Sequence, residues 1–154
     1  CIRDSINIDL NNTHVPDGSN PDAAAACSEY DKIVAAAGYP DLQLLGIGNN
    51  GHIGFNEPAK EFTHTTYKVA LTQSTLDANK RFFPDSDMPR YALTMGIDSI
   101  MQAKRIVLIA TGAAKAQAVR DMIRGAVSPE CPASILQNHA DVHIFLDREA
   151  AKLL

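Results

Sequence analysis

The chain has 154 residues, of which 45% are hydrophobic and 21% charged, with a formal net charge of −4. That length suits one domain with a substantial core, residues 1–154, and the acidic balance leaves no basic footprint for nucleic acid. No apolar run approaches the roughly 18 residues a membrane helix needs, and Cys1-Ile2-Arg3-Asp4-Ser5 holds no signal-peptide core.

In chain order, Asn11 to Asn20 is a turn-rich loop. The run Asp22 to Ala37 is rich in alanine and predicts a helix, with Asn20 as N-cap, Pro21 in the first turn and Gly38 just past the end. Leu42 to Gly48 predicts a buried strand that runs into a glycine-rich loop. Tyr67–Leu71 predicts a weaker strand, and Thr75–Phe83 a helix stopped by Pro84. Arg90–Met95 is another strand candidate and Ile97–Ala103 a short helix. Arg105–Ala110 is a continuous apolar strand, and Ala113–Ile123 a helix ended by Gly125. Val142–Leu146 is a strand, and Arg148–Leu154 begins a helix. Apolar strands alternating with helices predict an α/β fold: a doubly wound, Rossmann-like, mostly parallel sheet with helices on both faces.

The chemistry concentrates after the first strand. Gly46, Gly48 and Gly51 let the backbone bend and let a ligand come close. In open α/β sheets ligands bind beyond the carboxyl ends of strands. His52 and Glu57 therefore stand where an acid–base pair would be useful, and an imidazole titrates near working pH. Glu57 also reads as a solvated loop carboxylate, and Asn49-Asn50-Gly51 as simple turn chemistry. Lys115 follows Thr111-Gly112 at the start of a helix, a setting that favours anions. Arg81 offers a planar fork matched to phosphate. Gly46-Ile47-Gly48-Asn49-Asn50-Gly51 formally fits dinucleotide spacing, but polar loop residues and Pro58 follow where a helix would have to open. The five histidines show no metal spacing, so no metal is expected. Cys1, Cys27 and Cys131 form neither a disulfide framework nor a metal pattern, and a cytoplasmic setting is the simplest reading.

The stretch Gly51-His52-Ile53-Gly54-Phe55-Asn56-Glu57-Pro58 resembles the signature of glucosamine-6-phosphate deaminases. The resemblance extends through Ala78-Asn79-Lys80-Arg81-Phe82-Phe83, Pro89 to Gly96 and Thr111 to Ala116, and covers nearly the whole chain. It implies the same Rossmann-like architecture. It implies conversion of glucosamine 6-phosphate and water to fructose 6-phosphate and ammonia without a cofactor. In that reading His52 opens the sugar ring, Glu57 orients it, and Arg81 and Lys115 hold the phosphate.

Asn50 departs from the Asp that many members carry. An amide can hold an imidazole tautomer but cannot offset its charge. The family also carries upstream segments, including a phosphate loop and the Asp that moves a proton between C2 and C1. The resemblance therefore implies a C-terminal portion that turns over poorly alone. A homo-oligomer is compatible with it. The basic pattern that binds an allosteric activator in some relatives is missing from Glu61 to Val69, so weak or absent activation is expected. Rival readings are a 6-phosphogluconolactonase, a non-catalytic sugar-phosphate sensor, and a deaminase for another amino-sugar phosphate. The Phe55-Asn56-Glu57-Pro58 continuation weighs against the first, and retention of both His52 and Glu57 against the second.

Overall fold

The computed structural model describes residues 5–80, 83 and 88–154. Its centre is a three-stranded parallel sheet in which Leu42–Leu45, Arg105–Ala110 and Val142–Leu146 lie side by side in that order. In chain order the strands are β1 (Leu42–Leu45), β2 (Tyr67–Ala70), β3 (Tyr91–Thr94), β4 (Arg105–Ala110) and β5 (Val142–Leu146). The α-helices are α1 (Ala23–Ala36), α2 (Gln73–Asn79), α3 (Ile97–Met101) and α4 (Ala116–Arg124). Strands β2 and β3 do not join the parallel sheet. They pair antiparallel with each other, Tyr67 opposite Thr94 and Ala70 opposite Tyr91.

One face of the parallel sheet is packed. Ile106 and Leu108 on β4 are fully enclosed, and Leu45 and Ala110 are buried beside them. Ile97 and Ile100 of α3, Val119 and Met122 of α4, and Leu136 complete this core. Burying a side chain such as Leu108 contributes about 2–3 kcal/mol before entropy is counted. Alternate residues point the other way. On that opposite face Leu42 is 57% exposed, Leu44 59%, Ile109 48% and Phe145 57%. The α/β class is as expected, but the Leu42–Ile47 run is not buried on both sides. Among the described residues, helical layers pack on one face only. Helix α1 packs instead against β2, where the Asp31 carboxylate accepts the Thr66 amide and hydroxyl.

Several boundaries move, each for a local reason. The N-cap of α1 is Asp22, not Asn20. The Asp22 carboxylate accepts the Ala25 amide, while Asn20 accepts the Asp22 amide and so leads the chain into the helix. Strand β1 ends at Leu45, where pairing with Leu108 stops. Helix α2 starts earlier than expected because Thr72 caps it, its hydroxyl accepting the Thr75 amide. It also ends earlier, at Asn79 and not at Phe83, while Pro84, the expected stop, lies outside the described residues. The helix after β4 begins as a 3-10 turn, Ala113–Lys115, before α4. Residues 148–153 form hydrogen-bonded turns rather than a regular helix. A 3-10 helix at Pro132–Asn138 has no counterpart in the sequence reading. It packs on α4, and the Ala133 amide donates to the Gly51 carbonyl.

Candidate active site

The loop after β1 folds back on itself. The Gly48 amide donates to the His52 carbonyl at 2.8 Å, and the Gly51 amide to the Gly48 carbonyl at 3.0 Å. Gly51 has φ of 85°, a left-handed conformation that glycine adopts without strain. A side chain there would also meet Cys131 Sγ. At Gly48 the constraint is different, because a Cβ would overlap the His52 ring. These two glycines bring the imidazole back over the loop.

The rest of the motif anchors it. Asn56 is buried; its amide donates to the Ile53 and Met95 carbonyls at 2.9 Å each and accepts the Thr63 hydroxyl at 2.6 Å. The Phe55 amide donates to Thr94 Oγ1. Ile53 is fully enclosed. The loop is thus stitched to β3 and the core, which fixes where His52 and Glu57 stand.

His52 Nδ1 lies 3.3 Å from Glu57 Oε2, close enough for an ion pair. The two atoms are not aligned as a hydrogen bond, and Nδ1 is sealed from solvent without such a partner. With Nδ1 enclosed, Nε2 is the nitrogen left to meet a ligand. Burial pushes the His52 pKa down; Glu57 partly offsets this, and the positive charge of Lys115 adds to the lowering. The imidazole therefore favours its neutral form at neutral pH. For Glu57 burial acts upward, but it is outweighed by hydrogen bonds from Thr75 and Asn50, the charge of His52, and a hydrogen bond from Thr72. The carboxyl titrates below its usual range and stays ionised.

Asn50 serves Glu57 rather than the imidazole. Its Nδ2 donates to Glu57 Oε2 at 2.7 Å, and its Oδ1 accepts the His52 backbone amide at 3.3 Å. Thr75 Oγ1 donates to Glu57 Oε1 at 2.5 Å, and Thr72 Oγ1 stands 3.1 Å from the same oxygen. Neither threonine was anticipated from the sequence. The signal available was a Thr-x-x-Thr spacing at the opening of α2.

An open cavity of about 340 Å³ opens onto His52. It is lined by Gly46, Gly48, Asn50 and His52 of the loop, by Ser74, Thr75 and Asn79 of α2, and by Lys115. Lys115 is half-buried, and burial pushes its pKa down. The expected help from the Gly112 amide is already engaged, since it donates to the Asp147 carboxylate at 3.0 and 3.1 Å. Arg81 lies outside the described residues. Three other histidines are engaged elsewhere: His64 pairs with Asp98, His143 with Asp141, and His139 bonds the Ala103 carbonyl.

Comparison with known proteins follows the same lines. Residues 2–145 match the family model described as glucosamine-6-phosphate isomerases/6-phosphogluconolactonase. A glucosamine-6-phosphate deaminase of Listeria monocytogenes serotype 4a is 54% identical over 142 residues, 91% of this chain and 60% of that protein. One from Clostridium botulinum is 53% identical over 150 residues, 97% of this chain and 60% of that protein. A solved monomeric glucosamine-6-phosphate deaminase superimposes with a TM-score of 0.90 at 47% identity, covering 95% of this chain and 61% of the other. The chain thus spans about 60% of the length of the curated relatives it matches. Among the described residues, no helix is long and apolar enough to cross a membrane. By its family match and these identities, the chain belongs to the glucosamine-6-phosphate isomerase/6-phosphogluconolactonase family.

Proposed function

We propose that this chain supplies the ring-opening acid–base pair and part of the phosphate site of an enzyme that deaminates glucosamine 6-phosphate. The products are fructose 6-phosphate and ammonia. The observation that carries the reading is the enclosed pair, with Glu57 Oε2 3.3 Å from His52 Nδ1, beside a cavity that Lys115 also lines. The relatives named glucosamine-6-phosphate deaminase, 53–54% identical, support the choice of substrate.

The chemistry divides by residue. Ring opening needs a group that takes the proton of the anomeric hydroxyl and returns one to the ring oxygen as the C1–O bond breaks. Nε2 of His52 does both, and ionised Glu57 steadies the imidazolium between the two transfers. Asn50, which donates to Oε2, holds Glu57 for that task. Lys115, with Arg81 by resemblance, holds the phosphate and converts its binding energy into orientation of C1 and C2.

A carboxylate then moves a proton from C2 to C1 through an enolamine. Water replaces nitrogen at C2 and ammonia leaves. Among the described residues no carboxylate lines the cavity, and the resemblance assigns the C2-to-C1 step to an Asp of an upstream segment. The same reading puts the reaction in a reducing cytoplasm, where Cys27 and Cys131 stay free thiols.

The test is ammonia release from glucosamine 6-phosphate by the complete gene product that contains this chain, with His52→Ala alongside. Ammonia from wild type and a large loss in the variant support the proposal. A folded protein that binds the sugar phosphate and releases no ammonia overturns it.

A further inference from the structure

The hydrogen bonds around Glu57 are unequal, and the inequality singles out one hydroxyl. Thr72 Oγ1 lies within reach of Glu57 Oε1 at 3.1 Å, Thr75 Oγ1 at 3.0 Å and Ser74 Oγ at 3.2 Å. A hydroxyl carries one proton and can donate to only one of them. Thr72 is also the N-cap of α2, so its oxygen is already committed to the Thr75 amide. Thr75 differs on each point. Its side chain is only 2% exposed, and its hydroxyl donates to Glu57 Oε1 at 2.5 Å. That hydroxyl makes no bond to the backbone of its own helix, which Thr72 caps. Oε2 is served separately by Asn50 and faces His52.

We propose that the buried Thr75 hydroxyl is a positioning residue for the acid–base pair: it pins Oε1 of Glu57, so that Oε2 faces Nδ1 of His52 and the carboxylate stays ionised. The proposal rests on the reading of His52 and Glu57 as that pair. A short O–H···O⁻ bond favours the charged carboxylate. Without it, burial is opposed only by Asn50, His52 and the shared Thr72 proton, and the carboxyl gains freedom to turn. A protonated or turned Glu57 no longer steadies an imidazolium, and ring opening slows with little change in phosphate binding.

The experiment uses the complete gene product with Thr75→Val, which keeps the shape and removes the hydroxyl, and Thr75→Ser, which keeps the hydroxyl. The first readout is the titration of the Glu57 carboxyl by carbon NMR without substrate. Thr75→Val should raise its pKa by about one unit, while Thr75→Ser stays near wild type. The second is the pH profile of ammonia release. In Thr75→Val the acid limb should move up, and kcat should fall roughly ten- to hundredfold with KM within about twofold. Thr75→Ser should recover most of the loss. Thr75→Cys, whose thiol is a weak donor, replaces the valine variant if that one does not fold. An unchanged carboxyl titration in the hydroxyl-free variant overturns the proposal, as does a serine variant as impaired as the valine one. If wild type releases no ammonia, the functional reading fails, and the carboxyl titration still decides what Thr75 does to Glu57.

Discussion

The two ends of the site, Glu57 and Lys115, handle charge in opposite ways. At one end Glu57 is surrounded: Thr75 and Asn50 donate to it, Thr72 stands by, and His52 faces it. At the other end the Lys115 ammonium has no hydrogen-bond or ion-pair partner among the described residues, and burial already disfavours its charge. One end is internally compensated and the other is left wanting an anion. An enclosed, satisfied charge suits a group that must keep its place through a proton transfer. A half-buried, unsatisfied one suits a group whose partner arrives with the substrate.

The sharpest way to break this contrast is to remove the chemistry at the compensated end. His52→Ala in the complete gene product should lower kcat/KM for ammonia release by roughly 10²–10⁴-fold, the usual worth of a general acid–base group. A loss below tenfold would mean that His52 is not the ring-opening group. At the other end, Lys115→Ala should act mainly on KM, raising it roughly ten- to hundredfold, as for one charge-assisted contact to phosphate. The same variant removes a positive neighbour of His52, so the imidazole pKa should rise. NMR titration of His52 in wild type and variant reads that shift, and no change would mean the two ends are electrically independent.

Asn50→Asp tests how complete the compensation is. The Asn50 amide donates to Glu57 at 2.7 Å, and a second carboxylate in its place must share a proton with Glu57 or turn away. The acid limb of the pH profile should move upward, with about a tenfold loss at pH 6 that shrinks as pH rises. A profile unchanged from wild type would show that residue 50 does not control Glu57.

The smallest effect concerns stability, and both groups act in one direction. The folded-state pKa of His52 lies below its ordinary 6.5 and that of Glu57 below its ordinary 4.5. In each window the unfolded chain binds more protons, so stability rises with pH. Acidification should therefore cost stability twice: first as pH falls below about 6.5, then again below about 4.5. Melting temperatures of wild type and His52→Gln should diverge across the upper window, and parallel curves would refute the assignment.

The legible part of the site was the loop itself. A strand ending in glycines, with His52 and Glu57 five positions apart, could be read directly as a strand-end acid–base site. The support around Glu57 could not. Thr72 and Thr75 reach it from 15 and 18 positions along the chain, across a loop and strand β2. Asn50 was recognised as unusual, but its direction depends on how the glycines turn the loop, which a sequence does not show. The fold divides in the same way. The alternation of apolar strands and helices identified the parallel sheet, but an apolar strand does not say which faces its own chain will cover. Leu42 and Leu44 read as buried and stand exposed. The 3-10 helix at Pro132–Asn138 gave no helical period to detect, and its capping side chain is absent.

Gly48 and His52 share one volume, because the imidazole ring occupies the space a side chain at residue 48 would need. That fixes the order in which mutations at these positions can accumulate. Any side chain at residue 48 is accommodated only after the ring at residue 52 has moved or been replaced, and the proposed acid–base step is lost with it. A library randomised at both positions should return active clones with Gly48 and His52 together, and stable but inactive clones in which both have changed.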